Sequence, residues 1–341
     1  MKPITRRRYL GLSAAALLAG TGKSHAGELE GFIEKFGVPG FSFAIAKNGR
    51  IVRKEAYGVA HLETEEKLNT GHRFRIASIS KPITSTAVFL LVEQGKLKLD
   101  DLIFGEAGIL KMAGPERITT KHLLTHTSGA WKNDRDDPMF KRVDDDHAAL
   151  IAWTLETYPP KDDPGVAYAY SNFGYCLLGR VIEKVSGQSY EEFVRENVLK
   201  PCGAEAMTIG TGDREVGYYM ERKPLTYEMN VARMDAHGGW IGTPSELVEF
   251  ALRVDGVAKP PDLLNEESLK TMTARSGVNE DYACGWSVNK FGNYWHGGSL
   301  PGLSSLLVRT AGGYCWAACV NTRMAGIGSA LDKLMWKLAR E

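Results

Sequence analysis

The spacing of apolar residues along this chain changes character twice. Leu29 to Phe36 carries the pattern of a short helix. Phe41-Ser42-Phe43-Ala44-Ile45-Ala46 and Ile51-Val52-Arg53-Lys54-Glu55-Ala56-Tyr57 then read as two strands around the turn Lys47-Asn48-Gly49-Arg50. Helical spacing takes over in the amphipathic stretch that runs to Glu93. Pro82 sets its start near Ser78, because a residue without an N–H is tolerated only in a first turn. From about Leu99 to Val254 the pattern is mostly helical with irregular connections. Ser189-Tyr190-Glu191-Glu192 and Thr243-Pro244-Ser245-Glu246 have the form of capping boxes, and Gly187 and Pro201 act as helix stops. Strand signals return in Tyr282 to Asn289, Tyr294 to Gly298, Leu303 to Thr310 and Tyr314 to Asn321, before a closing helix over Gly328 to Arg340 with Leu331, Leu334, Met335 and Leu338 on its apolar face. Two N-terminal strands cannot bury a face alone, so they are expected to join the C-terminal strands in one antiparallel sheet, with the helical middle inserted against it and a ligand cleft between. No internal repeat or low-complexity tract interrupts this plan.

Composition narrows the class. With 43% hydrophobic and 24% charged residues over 341 positions, the chain has the balance of an ordinary globular protein, and that length fits either two small domains or one large one. No apolar run after residue 30 approaches the ~18–20 residues needed to cross a bilayer. The N-terminus has the order of an export signal: the twin arginine of Thr5-Arg6-Arg7-Arg8-Tyr9-Leu10, a modestly apolar segment from Leu10 to Gly20, and the small-x-small string Ser24-His25-Ala26. Cleavage is expected after Ala26, leaving residues 27–341 as one exported domain, periplasmic or secreted. Removing that segment takes away 5 bases and no acid, so 37 bases face 41 acids and the mature formal charge is −4. This argues against nucleic acid as a partner. None of Cys176, Cys202, Cys284, Cys315 and Cys319 lies in a C-x-x-C pair. Buried free thiols are the expectation, with a long-range bridge to Cys202 as the alternative.

The chemistry concentrates in three strings. Ser78 and Lys81 in Ser78-Ile79-Ser80-Lys81-Pro82 are three apart, so on a helix they share a face and the amine reaches the hydroxyl near the positive end of the helix dipole. They fit a nucleophile and its base, although a lone pair of this kind equally describes a capping serine beside a solvated lysine. Tyr170 and Asn172, in Tyr170-Ser171-Asn172, project the same way along an extended approach to a helix starting near Phe173. A phenol that shuttles a proton and an amide that orients a substrate would thus reach one site, unless Asn172 simply caps that helix. In His296-Gly297-Gly298-Ser299 the glycines clear room for a substrate backbone and for N–H groups facing an oxyanion, or they make an ordinary turn.

Taken in this order, the three strings resemble the motifs of the serine β-lactamase and penicillin-binding-protein superfamily, in particular its class C β-lactamase-related esterases, D-aminopeptidases and carboxypeptidases. Leu123-Leu124-Thr125-His126-Thr127-Ser128-Gly129 and the segment from Gly238-Gly239-Trp240 to Phe250 look like that family's connecting segments, and the resemblance spans about residues 30–338. It implies an α+β fold: a five-stranded antiparallel sheet (about residues 27–60 and 280–341) flanked by helices, with an inserted, mostly helical subdomain (about residues 99–254). It also implies Ser78 as nucleophile, Lys81 as the activating amine, Tyr170 as partner acid/base, and Asn172, His296, Gly297 and Gly298 as substrate-binding. The backbone N–H groups of Ser78 and Ser299 would form the oxyanion hole. The expected chemistry uses neither metal nor organic cofactor, and the expected partner is a small ester, amide or peptide. The chain departs from the β-lactamase pattern where a lysine and a hydroxyl residue usually stand in the third motif, since it has His296 and Gly297. Ester or small-amide cleavage is therefore expected above β-lactam cleavage, with D-aminopeptidase or carboxypeptidase action as the alternative and a non-turnover penicillin sensor as another. An acidic loop, Asp134-Arg135-Asp136-Asp137, is expected to border the cleft. His122 and His126 lack the glutamate of a zinc peptidase helix, and His126 is expected to pack a loop. No G-x-S-x-G elbow occurs.

Overall fold

The computed structural model describes residues 26–225, 229–257 and 259–340; the expected export signal, residues 1–26, lies outside them except for Ala26. After helix α1 (Ala26–Phe36), the seven strands of the main sheet are β1 (Gly40–Lys47), β2 (Arg50–His61), β3 (Glu66–Lys67), β4 (Ser287–Val288), β5 (Tyr294–Leu300), β6 (Leu303–Arg309) and β7 (Tyr314–Val320). They pair antiparallel in the order β3-β2-β1-β7-β6-β5-β4. The N-terminal strands thus join the C-terminal ones through the β1–β7 pair, in register from Phe41↔Val320 to Lys47↔Tyr314. The expectation of five strands is corrected to seven. The five long strands form the middle, and the two additions are two-residue edge strands, β3 and β4.

Burial explains the order. β1 is buried along its length up to Lys47, so it must lie between strands and between layers. Its alternation divides it: Phe41, Phe43 and Ile45 pack with the terminal helices α1 and α4 (Ile327–Leu338), while Ala44 and Ala46 face the helical middle. β7 divides likewise, sending Trp316, Ala318 and Val320 to one side and Cys315, Ala317 and Cys319 to the other. Small residues on the inner face let the sheet approach the helix Pro244–Ala251, while α2 (Ser80–Glu93) is buried on almost every side from Ser80 to Leu91.

Two further expectations are revised. The strand expected from Tyr282 to Asn289 contracts to Ser287–Val288, because Gly285, at φ +80°, turns the chain against α2 and leaves no room for a side chain: an added Cβ would lie 2.9 Å from Ser85 Cβ. The helical middle also holds a small three-stranded sheet of residues 74–75, 240–242 and 208–209, which ties the segment before Ser78 to the Gly239-Trp240 region. All five cysteines are buried free thiols. Among the described residues, no helix is long and apolar enough to cross a membrane.

Candidate active site

Ser78 sits in a single 3₁₀ turn, Ala77–Ile79, and the α-helix proper begins at Ser80. The neighbouring Ala77 has φ +48°, a left-handed conformation costly for a residue with a Cβ, so tertiary contacts hold this turn in place. One contact is visible at Gly298. Its missing Cβ would lie 2.2 Å from Ile76 O and 2.1 Å from Ser305 Oγ, and Ser305 Oγ donates to Ile76 O at 3.0 Å. Gly298 therefore seats the Ser78 turn on β5. Gly297 differs: it is exposed, it lines the cleft, and the nearest atom to a Cβ there would be Ser305 O at 3.8 Å.

Lys81, the second residue of α2, is completely buried. Its Nζ donates to Ser78 Oγ at 3.2 Å, to Asn172 Oδ1 at 2.7 Å and to the carbonyl of His237 at 3.0 Å. Burial pulls the ammonium's pKa down to about 7, and only the Asp137 carboxylate pulls it back up. The aromatic face of Tyr170 lies 4.7 Å from Nζ, and the Tyr170 phenol hydrogen-bonds Ser78. Burial pushes that phenol above its ordinary pKa, so it stays protonated at neutral pH. Helix α3 (Asn172–Ser186) is capped by Ser171, whose hydroxyl accepts from Gly174 N–H at 3.0 Å. Capping thus falls to Ser171, and the Asn172 amide is released into the site.

Behind Tyr170 runs a chain of aromatic groups with a determined polarity. His126 packs on the Tyr170 ring with centroids 4.2 Å apart. Its Nδ1 accepts from Ser171 N–H at 3.1 Å, so its Nε2 carries the proton and donates to Tyr282 Oη at 3.1 Å. Tyr282 in turn donates to His296 Nε2 at 3.1 Å, and His296 Nδ1–H donates to Gly297 O at 2.8 Å. Burial first, then the Lys81 charge, holds His296 down at about 3, so it is neutral. Both of its nitrogens are engaged within the protein.

These groups meet at a cleft of about 600 Å³ lined by Ser78, Tyr170, Asn172, His296, Gly297 and Ser299 among others, with Phe140, Tyr168, Met229, Met234 and Leu300 as its apolar wall. Beyond Trp295, the last β5 residue paired to β4, the cleft side of β5 has no strand partner among the described residues. All the predicted site residues but Lys81 and Gly298 line this one cavity, and those two pack directly beneath it. The acidic loop does not form its rim. Asn133 lines the cleft, Asp134 and Asp136 are exposed and do not line it, and Asp137 is turned inward and buried. The charged side chain at the mouth is instead a cation, Arg323. Sequence reasoning missed Asp137 and Tyr282 as members of the site and gave His126 only a loop-packing role. The aromatic run Tyr168–Tyr170 was a signal for a stacked partner, but nothing local marked which histidine it would be.

With this geometry in view, the relatives are informative. The sequence model of the Beta-lactamase family matches residues 26–337. "Protein flp" of Staphylococcus aureus (strain MW2) is 27% identical over 299 residues, covering 82% of this chain and 59% of that protein, so the chain spans under two thirds of that relative's length. In three dimensions it is similar to the D-amino acid amidase of Ochrobactrum anthropi SV3 (TM-score 0.77, 21% identity, 92% of this chain and 98% of that one). It is also similar to the octameric penicillin-binding protein homologue of Pyrococcus abyssi (TM-score 0.76, 22% identity, 91% and 76%). The two likenesses show a shared fold, and the match over nearly all of the described residues shows that this chain belongs to the Beta-lactamase family.

Proposed function

We propose that this protein is an exported serine hydrolase that cleaves an ester or small amide through an acyl-enzyme on Ser78. The observation that carries this reading is the approach of a fully buried Lys81 amine, its pKa lowered to about 7, to within 3.2 Å of Ser78 Oγ. Such an amine is unprotonated in a substantial fraction of molecules at neutral pH, so it can take the serine proton as Oγ attacks a carbonyl. The oxyanion would face the backbone N–H groups of Ser78 and Ser299. The leaving alcohol or amine then departs with a proton delivered through Lys81 and Tyr170, and water releases the acyl group by the reverse transfers. With its proton held tightly, the Tyr170 phenol serves as a relay and Lys81 as the resting base.

Preference for an uncharged substrate is supported by the third motif, where His296 is neutral with both nitrogens engaged and Gly297 has no hydroxyl. A β-lactam carboxylate would find neither of the usual partners there, a loss of about 1.5–3 kcal/mol. The apolar wall formed by Phe140, Met229, Met234 and Leu300 suits an uncharged acyl group. The D-amino acid amidase named above shares the fold, which keeps small D-amino-acid amides as the second substrate class to test.

The test compares kcat/KM for an uncharged nitrophenyl acyl ester, a D-amino-acid amide and nitrocefin on wild type and Ser78→Ala. Ester turnover that is lost in Ser78→Ala is the expected result. Equal rates in the two proteins would remove Ser78 as nucleophile, fastest turnover of nitrocefin would overturn the reading of His296 and Gly297, and a single stoichiometric burst would mark a sensor. N-terminal sequencing of exported protein should begin at Gly27.

A further inference from the structure

Asp137 is an acid buried to 1% exposure beside a catalytic cleft, and its carboxylate has two partners. Oδ1 accepts from Met139 N–H at 2.9 Å, capping the 3₁₀ turn Pro138–Phe140, and Oδ2 accepts from Asn172 Nδ2 at 2.7 Å. The second bond fixes which way the Asn172 amide points. With its NH₂ turned to Asp137, its Oδ1 must face Lys81 Nζ, where it accepts at 2.7 Å. An acid, an amide and the proposed catalytic amine thus form one directed chain from three distant parts of the sequence.

We propose that Asp137 is a positioning residue of the reaction, acting through the Asn172 amide to orient Lys81 toward Ser78 and to set how readily that amine gives up its proton. This rests on Ser78 and Lys81 acting as described above. The groups facing Lys81 are Tyr170 and Tyr175, whose rings lie 4.7 and 5.6 Å from Nζ, and the imidazoles of His126, His237 and His296, all held neutral by burial. Asp137 is the one carboxylate among them, and it faces a second acid, Asp134, on its own loop. Burial pushes the Asp137 carboxyl up to about 6, and its negative charge favours the ammonium form of Lys81. Removing the negative charge makes the ammonium less favourable and moves the working range of the base to lower pH. Two 2.7 Å hydrogen bonds in series place the charges about 8 Å apart, where an effective dielectric near 20 gives a displacement of about one to two pH units.

The test is the pH dependence of kcat/KM toward an uncharged nitrophenyl ester for wild type, Asp137→Asn and Asp137→Glu. Asparagine keeps one oxygen for the Met139 cap but removes the charge and the acceptor of the Asn172 NH₂, so its acidic limb should fall by about one to two pH units. Glutamate restores the charge and should return the limb toward the wild-type position. A limb that stays in place in Asp137→Asn while its plateau or thermal stability drops would leave Asp137 a helix cap only and end the proposal. Should Asp137→Asn fail to fold, carboxyl ¹³C NMR of the wild type decides. Coupling to Lys81 requires the Asp137 resonance to show a second step near the amine's titration, and a single step overturns the proposal. Activity equal in wild type and Ser78→Ala would instead mark failure of the nucleophile assignment itself.

Discussion

Replacing Gly298 by alanine should damage the protein far more than the same change at Gly297, one residue away. At position 298 the new Cβ would lie 2.2 Å from Ile76 O and 2.1 Å from Ser305 Oγ. Ordinary contact needs about 3.5 Å, so both must give way, each by about 1.3 Å. Ser305 can rotate only by giving up its 3.0 Å bond to Ile76 O, and Ile76 is main chain two residues before the proposed nucleophile. Overpacking of this size costs about 1–3 kcal/mol and the lost hydrogen bond about 1 kcal/mol more, for a total of about 2–4 kcal/mol. A displacement of about 1 Å in the Ser78 turn relative to Ser299 should in addition lower kcat by about 10²-fold. At Gly297 a Cβ meets nothing closer than Ser305 O at 3.8 Å, so stability should change by less than about 0.5 kcal/mol. Any effect there should appear in KM, because the position lines the cleft. Thermal melts and kcat toward a neutral nitrophenyl ester read both quantities. If Gly298→Ala kept wild-type melting and kcat, the packing of β5 against Ile76 would not be what holds Ser78, and the reasoning would fail.

Three further outcomes are expected. Lys81→Ala and Tyr170→Phe should each lower kcat by about 10²–10⁴-fold without loss of fold by circular dichroism; near-full activity in either would remove its proton-transfer role. kcat/KM of the wild type should rise with pH through about 7, because Lys81 must lose its proton to act as a base and burial has brought that loss down from its ordinary alkaline range; a flat profile between pH 5.5 and 8.5 would contradict this. Asn321 is fully buried, accepting from Gly40 N–H at 2.6 Å and donating to Ala60 O at 3.3 Å, so Asn321→Ala should cost about 1–3 kcal/mol in denaturant unfolding while leaving kcat near wild type.

Much of this protein was legible in its sequence because the signals were local. The pattern of Phe41–Ala46 marked a strand, and β1 occupies that place, although its burial on both faces came only with the packing. Gly187 ends α3 in the left-handed conformation, as its type implies, and Thr243 with Glu246 closes a full capping box. The Ser78–Lys81 spacing placed amine and hydroxyl together because both lie within one turn of backbone. Other features required the closed structure. Asp137 looked like one of several acids in an exposed loop, and only its contact with Asn172, 35 residues on, distinguishes it. Gly297 and Gly298 are indistinguishable as letters, yet β5 presents one to the cleft and the other to Ile76. His126 and Tyr282 are 156 residues apart and meet only in the folded chain. Local periodicity reports how the backbone satisfies its own hydrogen bonds and which face is apolar. The lowered proton affinity of Lys81 comes from burial by distant segments and the polarity of its amide partner from Asp137, and both exist only once those segments have packed.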